Sequence, residues 1–98
     1  MKKTTFSILV NIKTADGFES IGRFYVGNTR KLAYSIFKEL KGHDPLDQHS
    51  MLTIELWETV NNLPLNLQLK GCTLQQLAEN CAFITKEVFK ARNLEELI

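Results

Sequence analysis

Twice along this chain a segment alternates apolar and polar residues with period two, turns, alternates again, and then changes to the three-to-four-residue spacing of an amphipathic helix. That repeated change of period confines the fold to hairpins and helices sharing one apolar core. In residues 5 to 13, Phe6, Ile8, Val10 and Ile12 fall on one face and Ser7, Leu9, Asn11 and Lys13 on the other, as in a half-buried strand. Thr14-Ala15-Asp16-Gly17 supplies a turn. A two-residue Asp16-Gly17 loop would pair Val10 with Arg23 and set a cation beside the buried row. A three-residue Ala15-Asp16-Gly17 loop with Gly17 left-handed pairs Thr14 with Phe18 instead. This register places Ile8 opposite Phe24, Phe6 opposite Val26 and Lys13 opposite Glu19, so apolar rows coincide and charges complement each other. It also sets Gly22 beside Val10, where a missing side chain admits a helix.

After Gly27, Asn28 or Thr29 can cap a helix predicted over 29–41, with Leu32, Ala33, Ile36, Phe37 and Leu40 as its apolar stripe and Gly42 as its stop. Residues 42–50 form one polar connection. A second hairpin follows: Leu52, Ile54 and Leu56 alternate with Thr53, Glu55 and Trp57, and Leu65, Leu67 and Leu69 with Asn66, Gln68 and Lys70. A two-residue Asn61-Asn62 turn pairs Leu56 with Leu67 and Ile54 with Leu69, leaving Pro64 near the turn, where a lost donor costs least. Thr73-Leu74-Gln75-Gln76 then matches a capping box. The helix it opens buries Leu74, Leu77, Cys81, Ile84 and Val88 and reaches to about Arg92; beyond it the tail either forms one capped turn from Asn93 or continues the helix. Phe83 falls opposite that stripe, as a residue covered by the tail or as a second contact point.

The expected fold is therefore α+β: one domain over residues 1–98, two-layer ββαββα, with a four-stranded, mainly antiparallel sheet and two amphipathic helices on one face. No residue-level repeat relates the two ββα halves, and the central strand pairing is open. Composition narrows the function classes. At 98 residues, 44% hydrophobic and 23% charged, the chain is neither disordered nor collagen-like, coiled-coil or membrane-spanning. The apolar stretch after Met1-Lys2-Lys3 ends at Val10, so neither a signal peptide nor an anchor is expected. A net charge of +1 argues against a nucleic-acid partner on electrostatic grounds, because little counterion release is available. Cys72 and Cys81, placed at or inside one helix, would stand roughly 13 Å apart, beyond disulfide reach. Free thiols suit a cytoplasmic protein.

With both helices on one face, the other carries Leu9, Ile21, Arg23 and Tyr25 from the first hairpin and Thr53, Glu55, Trp57, Asn66 and Gln68 from the second. Leu9, Ile21, Arg23, Tyr25 and Trp57 together have the composition of an interface centre, where Trp, Tyr and Arg are enriched. Asn28-Thr29-Arg30-Lys31 sets two cations in the first turn of a helix, against the macrodipole. With Arg23 nearby, this turn could hold a phosphate or carboxylate. His43, Asp44, Asp47 and His49 supply metal-ligand types without a recognisable spacing, and a polar turn explains them as well. Neither a nucleophile with a partnered base, nor paired acids, nor a glycine-rich cofactor loop is found. No cofactor is expected, and Cys72, just before a helix, is the better placed of the two thiols for a lowered pKa.

The reading that follows is a small cytoplasmic, non-catalytic protein-interaction module, homodimeric, using the outer sheet face or a free strand edge. The alternative is a binder of a phosphorylated ligand or nucleic acid through Arg23, Arg30 and Lys31. Residues 1 to 49 hold eight Lys and Arg against five Asp and Glu, and the remainder four against six, an asymmetry suited to self-complementary contacts.

Overall fold

The structure is a computed structural model and describes residues 3–43 and 51–97. Its elements are β1 (Thr4–Thr14), β2 (Gly17–Tyr25), α1 (Arg30–Glu39), β3 (Leu52–Val60), β4 (Leu63–Cys72) and α2 (Leu74–Leu97). The strands form one four-stranded sheet in the order β2-β1-β3-β4, and every pairing is antiparallel. The first strands of the two hairpins thus make the centre, with Ile8 opposite Leu56 and Val10 opposite Ile54. One core joins Phe6, Ile8, Val10, Ile54 and Leu56 of the sheet to Ala33, Ile36 and Phe37 of α1 and Leu77 and Ile84 of α2.

The first hairpin reconciles two competing registers. Thr14 pairs with Gly17 across a two-residue Ala15-Asp16 loop, not with Phe18 as expected. The Thr14 hydroxyl stabilises this tighter turn, accepting the Asp16 N–H at 3.2 Å and donating to the Gly17 carbonyl at 2.9 Å, and Gly17 has φ +118°. The tight turn is one residue out of step with the apolar rows. A bulge at Ile21 absorbs the difference, so that Val10 meets Gly22 and Ile8 meets Phe24 as the apolar pattern demands. Lys13 consequently faces Phe18 rather than Glu19.

The second hairpin repeats the device. Asn61 and Asn62, at φ 52° and 70°, form the two-residue left-handed turn expected of Asn pairs, and Trp57 pairs with Asn66. A bulge at Leu67 then shifts the register, so Leu56 meets Gln68 and Ile54 meets Lys70 instead of Leu67 and Leu69. The shift has a physical reason: Lys70 Nζ donates to the carbonyls of Phe37 and Leu40 at 2.9 and 2.8 Å and lies 5.0 Å from the Phe37 ring centre. It joins the Leu40 N–H as a second donor to the Phe37 carbonyl and supplies one to the carbonyl of the C-cap Leu40, at a helix end where carbonyls run short of intrahelical donors. Burial lowers the Lys70 pKa, partly offset by the charges of Cys72 and Glu39. The exchange carries Gln68 to the core side and Leu69 to the outer face.

Both helices differ in detail from expectation. Helix α1 ends at Glu39, with Leu40 as an extended C-cap; Gly42 is no helix stop but a point of close approach, since a Cβ there would lie 2.8 Å from the Gly71 carbonyl. The Asn80 amide clamps the next turn to α2, accepting from Lys41 N–H at 2.8 Å and donating to its carbonyl at 2.7 Å. In α2 the capping box forms: Thr73 Oγ1 accepts the Gln76 N–H and Gln76 Oε1 accepts the Thr73 N–H. The helix continues through the tail rather than restarting. Leu74 stays exposed although Leu77 of the same turn enters the core, and Phe83 packs against the core, beside Leu32 and Ile36 of α1.

Candidate interaction surface

The face of the sheet turned away from the core is laid out in cross-strand rows. One row runs Arg23, Leu9, Glu55, Leu69 from β2 to β4, and the next runs Tyr25, Ser7, Trp57, Asn66. Leu9 and Trp57 are half-buried at the middle, while Phe18, Ile21, Tyr25 and Leu69 around them are 40 to 58% exposed. Four of the five residues assigned to this surface from sequence, Leu9, Arg23, Tyr25 and Trp57, occupy these two rows, and Ile21 is the exposed bulge residue at the β2 edge. The bulges add Phe18 and Leu69, which simple alternation missed. Only tertiary geometry could reveal that Tyr25, on the edge strand β2, turns its ring toward the helix layer: the guanidinium of Arg92 of α2 lies 5.3 Å from the ring centre and Tyr25 lines the depression at the α1 N-terminus, so this ring borders the outer face.

A polar network crosses the same face. Asn11, only 7% exposed, donates from Nδ2 to Thr53 Oγ1 at 3.2 Å and to Glu55 Oε2 at 2.8 Å, and Asn66 Nδ2 donates to Glu55 Oε1 at 2.7 Å. Each carboxylate oxygen of Glu55 therefore holds one amide and keeps a lone pair for another donor. Asn11, Thr53 and Glu55 floor an open depression of about 250 Å³ whose remaining walls are Phe18 and Leu69. The Trp57 indole Nε1 is buried without a hydrogen-bond partner among the described residues.

The sheet edges are less inviting. Each edge strand carries a bulge, which interrupts the straight run of donors and acceptors another strand would need. On β4, Pro64 removes one donor, and His43 occupies the edge at Gly71 by exchanging both backbone hydrogen bonds at 2.8 and 3.0 Å. The exposed Leu63 and Leu65 flank Pro64 at the hairpin end of this strand.

The basic turn is not assembled as the sequence suggested. Arg30 Nη2 binds both oxygens of the buried Glu58 carboxylate at 3.1 and 2.9 Å. That hydrogen bond, with Glu58's charge, raises the Arg30 pKa. Glu58 shares the face of Ile8 and Leu56 whereas Arg23 lies on the opposite one, so Arg23 and Arg30 do not converge. Asn28, Thr29 and Lys31 are exposed, and Thr29, the N-cap, makes no side-chain capping bond. A depression of about 280 Å³ adjoins this helix end, lined by Gly27, Asn28, Thr29 and, in place of Arg23 or Arg30, Arg92.

Of the suggested metal ligands, His43 lies in the bridge to Gly71, while Asp44, Asp47 and His49 fall outside the described residues. Among the described residues no group of three or more His, Cys, Asp or Glu could hold a metal ion, and no helix is long and apolar enough to cross a membrane. Both cysteines are free thiols. Cys72 ends β4, directly before the Thr73 cap of α2, as its place in the sequence indicated. Burial raises its pKa, opposed by the Asn80 hydrogen bond and the Lys70 charge, so it lacks the activation that its place in the sequence suggested. Comparison with protein-family models, curated proteins and solved structures finds no match to this chain.

Proposed function

We propose that this chain is a small cytoplasmic, non-catalytic interaction module that associates, as a homodimer, through the outer face of its sheet. The observation that carries the reading is the ring of exposed Phe18, Ile21, Tyr25 and Leu69 around Leu9 and Trp57. Aromatic and aliphatic side chains gathered on one face, interleaved with polar ones and with an arginine at the rim, have the make-up of an interface centre. The interrupted edges favour the face over strand-to-strand pairing. Free thiols in Cys72 and Cys81 are in keeping with a reducing compartment.

Trp57→Ser tests this directly. The variant is expected to unfold cooperatively yet to lose self-association, read as mass by light scattering across concentration. Association at the wild-type level in a folded variant would refute the face as the contact. A second reading has one observation behind it: the uncapped N-terminus of α1 opens on a depression bordered by Arg92. Free N–H groups beside a guanidinium suit a phosphate-bearing ligand. The near balance of charge disfavours nucleic acid as its source.

A further inference from the structure

We infer that the outer face packs against the same face of a second copy of this chain, about a two-fold axis lying close to β1 and passing over Leu9, with Arg23 of each copy seated on Glu55 of the other. This rests on the reading of the face as an interaction surface and specifies its occupant and geometry. The argument starts from one cross-strand row. Arg23 and Glu55 stand on the strands either side of β1, level with Leu9. Each is therefore displaced by about 4.8 Å from β1, on opposite sides.

Rotation by 180° about an axis along β1 exchanges the two sides. Arg23 of the second copy then lies over Glu55 of the first, and the reverse contact forms at the same time, as an isologous interface requires. In the adjacent row the same rotation brings the Tyr25 position of β2 over Trp57, with the Tyr25 ring held at the edge by Arg92. An axis running across the strands would instead oppose Arg23 to Arg23 and Glu55 to Glu55, so the charges of this row favour the first, which, of the charged residues in β1, sets only the exposed Lys13, at its far end, opposite its own copy. Two sheets packed with their strands nearly aligned is a common geometry, with the faces about 10 Å apart.

Glu55 is prepared for this contact. Asn11 and Asn66 fix its carboxylate with one hydrogen bond to each oxygen, leaving two lone pairs that match the fork of a guanidinium. Its depression, walled by Phe18 and Leu69, shields an incoming cation from water on two sides. The rotation lays β2, β1 and β3 of one copy over β3, β1 and β2 of the other and leaves β4 at the margin. Three strands at about 4.8 Å and nine residues at about 3.3 Å give an overlap of roughly 14 by 30 Å. The pair would bury about 850 Å², the size of a weak, reversible interface.

The test is a charge exchange followed by mass against concentration. Arg23→Glu and Glu55→Arg each place like charges at both contacts, and each is expected to weaken self-association at least about tenfold. An equimolar mixture of the two variants is expected to regain the dimer mass, because every contact in the mixed pair unites opposite charges. Wild-type dimerisation by the folded variants, or a mixture that stays monomeric, would overturn the inference. If Glu55→Arg does not fold once its amide partners are displaced, Arg23→Glu alone decides, with Arg23→Lys as the control that retains charge. The outcomes also separate this inference from the broader reading. Loss of association in Trp57→Ser but not in the charge variants keeps the face and rejects this axis. A wild-type chain that is monomeric at every concentration rejects the second copy and leaves the face to another protein.

Discussion

Single side chains join elements that the backbone alone would leave loosely connected. Asn80, 2% exposed, bonds both backbone groups of Lys41 and also donates to the Cys72 sulfur at 3.6 Å. It ties α2 to the chain leaving α1 and to the end of β4. The same cluster gives the fold a pH dependence. Burial, the largest cause, holds the Cys72 thiol above its ordinary pKa of 9.0, and Cys81 is raised for the same reason. In the unfolded chain these thiols lose their protons first, so the folded state binds more protons above pH 9. Stability is therefore complete below that point and falls as pH rises through the raised pKa. Urea unfolding between pH 8 and 10 is expected to show this decline, and Cys72→Ala to make it shallower. Parallel declines in the two proteins would show that Cys72 does not contribute. Lys70, whose pKa is lowered by burial and held up in part by the Cys72 charge, acts in the opposite sense; its pKa falls further once Cys72 is removed, which also makes the decline shallower.

The two helices begin differently. Thr73 caps α2 through its hydroxyl and is answered by Gln76, whereas Thr29 occupies the N-cap of α1 without a side-chain bond. Thr73→Ala is accordingly expected to cost about 1 kcal/mol, and Thr29→Ala no more than a few tenths. Denaturant midpoints of the two variants measure the contrast, and equal losses would contradict it. The hairpins, by comparison, are built alike. Each has a two-residue turn, and the bulges at Ile21 and Leu67 fall at the same distance beyond Gly17 and Leu63, the first residues of β2 and β4. The two ββα halves therefore repeat as geometry, though no residue pattern repeats between them.

The molecule measures 46 × 28 × 19 Å, a thin shape in keeping with one sheet layer and one helix layer. A sheet that buries its apolar rows on one side only leaves the other side to solvent or to a partner. If that side is the self-association surface, its apolar centre should make the dimer resistant to salt, with only the Arg23 and Glu55 contacts screened. Light scattering over a hundredfold concentration range, at low and high salt, is expected to show a concentration-dependent dimer that survives high salt. Binding of inorganic phosphate at the α1 N-terminus would instead fade with salt. A dimer dissolved by salt would mean that charge rather than apolar burial holds it.

Much of this arrangement is determined by the sequence itself, because local periodicity and turn chemistry act over a few residues. The Phe6, Ile8, Val10 and Leu52, Ile54, Leu56 rows, the left-handed Asn61-Asn62 turn, the Thr73 capping box and the four outer-face residues Leu9, Arg23, Tyr25 and Trp57 all follow from short-range patterns. Tertiary structure decided the rest. The bulges arise where a tight turn and a distant apolar row demand registers one residue apart, and no local signal at Ile21 or Leu67 reports that conflict. Their consequences, Lys70 under the end of α1, Leu69 and Phe18 on the outer face, depend on where a helix lies against the sheet. Arg30 meets Glu58, and Arg92 meets Tyr25, across separations of 28 and 67 positions. Such pairings are set by packing in three dimensions, which periodicity along one strand or helix does not encode.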